Sequence, residues 1–362
     1  MKYVDEFRDS ETAARLVERI RRHPPIPVNL MEVCGTHTVA IFRHGIRQLL
    51  PENVNLISGP GCPVCVTANR DIDWAIAAAK QPDTILTTFG DMLKVPGSHS
   101  SLQQARAEGG EVRVVYSTLD ALQIARANPQ KRVVFFGIGF ETTAPTIACS
   151  ILEAEETGLE NYFVFSVNKV MPPPMKALVD SGEVRIDGFL CPGHVSAIIG
   201  SEPYQFLARD YGIPCVIAGF EPVDVLQSID MLLAQRVEGR AEVEIQYKRV
   251  VRPEGNPAAM APLYRVFQPA DAEWRGLGMI PGSGLEVREE YARFDARRVT
   301  QIDPGPTREH RGCRCGDVLR GVMKPPECPL YGRACTPETP VGPCMVSSEG
   351  TCSTWFQFAG AE

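Results

Sequence analysis

Residues 54–66 read Val-Asn-Leu-Ile-Ser-Gly-Pro-Gly-Cys-Pro-Val-Cys-Val, an apolar run breaking into a turn that carries Cys62 and Cys65. Gly59 and Gly61 let the backbone turn sharply, while Pro60 and Pro63 stiffen it by fixing φ. From Thr67 onward Ile72, Ala75, Ile76 and Ala79 recur at helical spacing. The stretch therefore predicts strand, turn, helix, with the cysteine pair at the helix's positive end. That position favours a thiolate and lowers a cysteine pKa. A C-x-x-C pair in an α/β setting cycles between dithiol and disulfide or holds a metal. The plainer alternative is two small buried residues in a tight turn, and the pair alone does not decide between them.

The same unit recurs along the chain. A helix over 5–22, with Phe7, Ala14, Leu16, Val17 and Ile20 facing inward, stops at Pro24, Pro25 and Pro27. Strand Val28 to Val33 runs into Cys34-Gly35-Thr36-His37-Thr38, and a helix continues to Leu50. Cys34 thus occupies the same corner as Cys62, with His37 one helical turn on. Cysteine and histidine suit iron or zinc; the alternative is a threonine cap with an exposed histidine. Further strands are expected at 84–89, 112–116, 132–136, 162–167, 186–190 and 215–218, with helices between them. Alternation of this kind makes parallel sheets flanked by helices. There are too many units for one small sheet, so the expected fold is α/β with two similar lobes. Residues 1–120 would form the first, 121–240 the second, and 241–362 a connecting region followed by a cysteine- and proline-rich tail. Gly276 to Gly284 reads as loop.

Ligands of open α/β sheets bind beyond the carboxyl ends of the strands. Cys34, Cys62, Cys65, Asp91, Glu141, Cys191, His194 and Glu221 all fall at such ends. Gly137-Ile138-Gly139-Phe140-Glu141-Thr142 has two glycines of a dinucleotide motif but not the third, and no acidic residue ends the following strand, so it reads as a close-packed turn. No phosphate-binding loop and no C-x-x-x-C-x-x-C run is present.

Composition narrows the class. Of 362 residues 44% are hydrophobic and 22% charged, ordinary for a globular protein, and the net charge of -7 argues against a phosphate-backbone surface. The charged N-terminal stretch lacks an apolar signal core, and no apolar run reaches membrane length. Both point to a cytoplasmic protein, where thiols serve as ligands, redox groups or small core residues more often than as disulfides. Six of the twelve cysteines, Cys313, Cys315, Cys328, Cys335, Cys344 and Cys352, lie after residue 312, among eight prolines that follow Ile302. The last four are separated by six, eight and seven residues. Structural zinc sites favour paired C-x-x-C knuckles, whereas a four-iron cluster needs four thiolates at tolerant spacing. A [4Fe–4S] site on Cys328, Cys335, Cys344 and Cys352 is therefore expected ahead of zinc, leaving Cys313 and Cys315 as a redox pair or a structural one.

The motifs Met31-Glu-Val-Cys-Gly-Thr-His-Thr38, Ser58-Gly-Pro-Gly-Cys-Pro-Val-Cys65, Phe135-Phe-Gly-Ile-Gly-Phe-Glu-Thr-Thr-Ala-Pro145, Cys191-Pro-Gly-His-Val-Ser196 and the tail from Pro337 to Cys352 together closely resemble the HypD family of hydrogenase maturation factors. The resemblance covers essentially the whole chain. It implies a redox-active scaffold, and not a conventional turnover enzyme, for the Fe(CN)2CO moiety of [NiFe] hydrogenase. One iron would be held between the protein and a small HypC-like chaperone, and a HypE-like partner would deliver cyanide. It implies Cys34 as the iron-binding thiolate with His37 beside it, Cys62 and Cys65 as the redox pair, and His194 lining the same cleft. Cys328, Cys335, Cys344 and Cys352 would hold the cluster with Glu349 close by, and electrons would pass from cluster to Cys62/Cys65 to iron. A competing reading is an iron–sulphur disulfide reductase acting on a protein thiol substrate, and a third is a zinc-stabilised interaction scaffold. No nucleic-acid or membrane partner is implied.

Overall fold

The computed structural model describes residues 5–358 of the chain. Eleven strands are formed among these residues: β1 (Val28–Glu32), β2 (Val54–Ser58), β3 (Thr84–Thr88), β4 (Val112–Val114), β5 (Arg132–Gly137), β6 (Tyr162–Ser166), β7 (Gly188–Pro192), β8 (Cys215–Ala218), β9 (Val243–Ile245), β10 (Phe267–Trp274) and β11 (Gly278–Val287). The first nine pair into two sheets, ordered β2-β1-β7-β8-β9 and β4-β3-β5-β6. Every pairing within them is parallel. Helices separate consecutive strands, and β3 and β7 are buried along their whole length, as strands covered on both faces must be. The fold is thus α/β with two parallel-sheet lobes, as the alternation requires.

The lobes do not follow chain order. Leu30 pairs with Gly188 and Met31 with Phe189, so β7 joins β1, not the strands that precede it. The first lobe takes β1 and β2 and then β7 to β9, while β3 to β6 form the second lobe as an insertion. The division at residue 120 separates β3 and β4 from their partners β5 and β6. Pairing within a sheet is a long-range choice that periodicity along the chain does not encode. The first sheet has the doubly wound order 2-1-3-4-5, whose direction of winding reverses between β1 and β7, the point where such sheets bind ligands.

The first helix begins at Ser10, capped by the Asp9 side chain, and buries Leu16, Val17 and Ile20, whereas Ala14 faces solvent. Two further helices, Pro172–Ser181 and Pro257–Val266, open on proline at their first turn, where a missing N–H costs nothing. The segment 276–284, expected as loop, supplies most of β11, which pairs antiparallel with β10 from Phe267–Val287 to Trp274–Gly278. Its glycines Gly276, Gly278 and Gly282 have positive φ and make the hairpin turn and irregularities rather than a loop. One buried apolar cluster contains Met31 and Phe189 of the first lobe, Phe136 and Phe165 of the second, and Cys344 and Met345 of the tail. The lobes and tail therefore share a core. No helix among the described residues is long and apolar enough to cross a membrane.

Candidate functional site

β1 ends at Glu32, and Cys34 caps the following helix, Gly35–Arg43, through its backbone. Beneath it the Glu32 carboxylate accepts from the Cys34 amide at 3.0 Å and from the Thr38 hydroxyl. Burial holds this carboxyl up at about 7. The neighbouring turn after β2 is pressed against Cys34. Gly35 donates to Gly61 O at 3.1 Å, and a Cβ on Gly61 would stand 2.2 Å from the Cys34 nitrogen. Glycine at 61 is thus dictated by the approach of two backbones that carry the two cysteine motifs.

Cys62 caps the short helix Pro63–Val66, its sulphur accepting from the Cys65 amide at 3.3 Å, and the two sulphurs lie 2.6 Å apart. At Cys34 and Cys65 the expected thiolate character is not found. Burial pushes the Cys34 thiol up to about 12 and Cys65 well above its usual value. Removing a thiolate from water outweighs the pull of the helix terminus at both positions. At neutral pH these groups are thiols, so a soft metal or an oxidant must displace the proton.

His37 is 1% exposed, which excludes the simple exposed-cap reading. Its Nε2 faces Gly219 O at 3.0 Å and Ala218 O at 3.3 Å, while Nδ1 is buried with no partner. Burial lowers its pKa to about 4, so the ring is neutral and offers a free lone pair. His194, following β7, and His37 both stack on Phe220, at 3.9 and 4.7 Å. Burial likewise lowers His194, against the opposing pull of Glu349. Cys34, Cys62, Cys65, His37 and His194 therefore gather on one sheet edge, around the reversal between β1 and β7.

Other residues at strand ends are elsewhere. Asp91 and Glu141 belong to the second sheet. Glu141 accepts from the Met171 amide at 2.9 Å with one oxygen buried and unpartnered, and burial raises it to about 7. Cys191 lies inside the core, its thiol against Cys215. Glu221 caps the helix Pro222–Glu238 and pairs with Arg8.

The tail closes over the edge. Pro343–Met345 and the helix Thr351–Phe358 pack on the helices that carry Cys65 and His37. Thr36 donates to Glu349 at 2.7 Å, and the Glu349 carboxylate raises Cys34 as well as His194. Glu349 thus belongs to the Cys34 site and is not only a neighbour of tail thiols. Cys313, Cys315, Cys328, Cys335 and Cys352 line one small apolar cavity of about 20 Å³. The thiol of Cys344 meets those of Cys315, Cys352 and Cys65. Gly342 leaves the room, since a Cβ there would stand 2.5 and 2.6 Å from the sulphurs of Cys315 and Cys313. Among the described residues no three His, Cys, Asp or Glu side chains form a ready single-ion site. A donor set composed of thiols alone, enclosed by Leu330, Tyr331 and Met345, fits an iron–sulphur cluster, whose irons each take one cysteine, better than a lone cation. Sequence reasoning missed Glu32, Phe220 and Arg275, the last buried with Nη1 unpartnered beside Cys313, whose thiol its neighbour Cys315 and burial push up against the weaker opposing pull of Arg275. Glu32 lies inside the first cysteine motif, Phe220 follows a strand end and Arg275 arrives from the hairpin, and none carries a signature of its own.

Fold and site together define a doubly wound α/β protein with a buried thiol–imidazole centre at its reversal point and a second thiol cluster folded over it. A family model described as "Hydrogenase formation hypA family", HypD, matches residues 11–359, and the chain belongs to this family. It is 50% identical to the hydrogenase expression/formation protein HupD of Azotobacter chroococcum, over 99% of this chain and 97% of that protein. It is 47% identical to hydrogenase maturation factor HypD of Rhodobacter capsulatus (100% and 99% covered) and 45% to that of Escherichia coli (100% and 99%).

Proposed function

We propose that the protein is a maturation scaffold on which the iron moiety of [NiFe] hydrogenase is assembled. The observation that carries this reading is the convergence of Cys34, the Cys62/Cys65 pair, His37 and His194 on one edge, with Cys344 of the tail in contact with Cys65. Iron carrying cyanide and carbon monoxide is the substrate. Low-spin iron of this kind needs soft, electron-rich ligation, which Cys34 supplies once its proton leaves. Glu32, with its carboxyl pKa about 7 two residues away, and the unpartnered Nδ1 of His37 are the proposed acceptors of that proton. Cys62 and Cys65 can form one disulfide bond, releasing two protons and passing two electrons to the iron centre at Cys34 as the acceptor. Cys328, Cys335, Cys344 and Cys352 are the proposed cluster ligands, with Cys315 the residue best placed to substitute for one of them. A cluster there supplies single electrons when bound. A HypC-like chaperone and a HypE-like cyanide donor are the proposed partners.

The competing disulfide reductase needs an attackable sulphur, yet Cys62 and Cys65 are 3% and 0% exposed. The test is an infrared spectrum of the anaerobically purified protein, coexpressed with such partners. Cyanide and carbon monoxide stretches are expected in the native protein and absent in Cys34→Ala. Stretches of equal intensity in Cys34→Ala overturn the assignment.

A further inference from the structure

Beyond the thiol centre, the second lobe holds a cavity of about 450 Å³ where β6 ends, bounded by the β10–β11 hairpin. Trp74 and Phe165, stacked at 3.9 Å, form an aromatic floor, and Asn168, Lys169, Arg70 and Arg297 complete the part used here. None of its lining residues is a cysteine or histidine. The carboxyl end of a parallel strand is where α/β proteins place ligands.

Lys169 is the unusual member. It is 2% exposed, and its ammonium donates to Glu273 O at 2.7 Å. Among the described residues no carboxylate comes within ion-pair distance of it. Asp71 and Glu273 act on it only from beyond that distance and the Trp274 ring lies 5.4 Å away, so two of its three N–H donors have no protein acceptor, a costly state for a buried ammonium. The backbone fixes it there. Lys169 N donates to Gly139 O at 3.0 Å, Val170 N to Ser283 O at 2.9 Å, and Lys169 bridges Gly284 of the hairpin. Arg297 lies over the Phe165 ring at 4.6 Å and bonds Asp71 at 3.1 Å, which puts a second cation beside the cavity. The acidic lining residues are mostly engaged: Asp271 accepts from Gly282 N and Glu286 from Gln268. Glu273 turns its carboxylate to solvent and uses its carbonyl inside.

We propose that this cavity is a second binding site, taking the carboxylate or phosphate group of a small molecule on the Lys169 ammonium. The acidic rim of Asp271, Glu273 and Glu286 excludes polyanions and favours a ligand with hydrogen-bond donors at its other end. Burial lowers the Lys169 pKa to about 8, which leaves the group charged at neutral pH.

Titration calorimetry on the full-length protein with inorganic phosphate, acetate and glycine tests this, the three probes separating phosphate, carboxylate and zwitterion as the preferred class. Saturable binding of at least one probe near one per chain is expected, weakened about tenfold or more by Lys169→Met. Arg297→Gln, an exposed side chain at the mouth, is expected to weaken it severalfold and decides the matter if Lys169→Met does not fold. Failure of all three probes to saturate, or affinities unchanged in the variants that fold, overturns the proposal. Neither result depends on iron or cluster content, so the maturation reading stands or falls separately.

Discussion

Glu141 shows how a single buried group ties the fold to solution conditions. Its carboxyl is fully enclosed, one oxygen lacks a partner, and burial lifts its pKa from 4.5 to about 7. A folded pKa above the unfolded one means that the unfolded chain releases its proton first. The contribution is complete below about pH 4.5 and lost as pH rises through about 7. In Glu141→Gln the fall in stability between pH 5 and 8 should shrink by up to roughly 3 kcal/mol, read from denaturant midpoints at each pH. An unchanged pH profile would show that the oxygen is solvated in solution. At Gly61 the constraint is steric. Gly61→Ala sets a methyl against the Cys34 backbone, so a loss of roughly 1–3 kcal/mol is expected, together with faster alkylation of Cys34 as its turn is displaced.

Among the elements, the β10–β11 hairpin links more than its sequence suggests. Trp274 is fully buried, donates through Nε1 to Ser283 at 2.8 Å, and bridges Thr67 just after the Cys62/Cys65 helix. Arg275 N donates to Val66 O at 2.9 Å, and Gly276 rests on Gly316 beside Cys315. The hairpin is thus a strut between the dithiol and the tail cysteines. Trp274→Ala should cost about 3–5 kcal/mol and raise the hydrogen exchange of 63–67 along with that of the hairpin. Exchange confined to the hairpin would deny it that role. Gly342→Ala should lower iron and sulphide content after anaerobic reconstitution while far-ultraviolet dichroism stays unchanged, because the added methyl meets two sulphurs rather than the sheets.

On the scale of the molecule, the tail is a cover fastened at two places. Thr36 holds Glu349 beside Cys34, and Phe42 meets Trp355 edge to face at 5.0 Å with Arg47 over both rings. Breaking the first contact with Glu349→Ala should speed amide exchange across 347–354 and leave β1 to β6 unaffected. If protection of the tail is retained, packing alone holds it. An inserted second lobe that shares a core with the first also predicts one cooperative unfolding transition for both lobes, measured by calorimetry.

Alternation in the sequence settled the fold class, and strand-end chemistry pointed to the residues of interest. The strand Cys215–Ala218 begins and ends where periodicity puts it. Cys34, His37, Cys62 and His194 could be chosen because glycine- and proline-rich turns mark the carboxyl ends of strands. The chain itself did not disclose that β7 pairs with β1, since register and strand order arise from contacts between segments more than a hundred residues apart. Nor could it show that burial, and not the helix terminus, sets the state of Cys34 and Cys65, because desolvation depends on what folds over a thiol. What covers these thiols is the tail, and only tertiary packing brings it there.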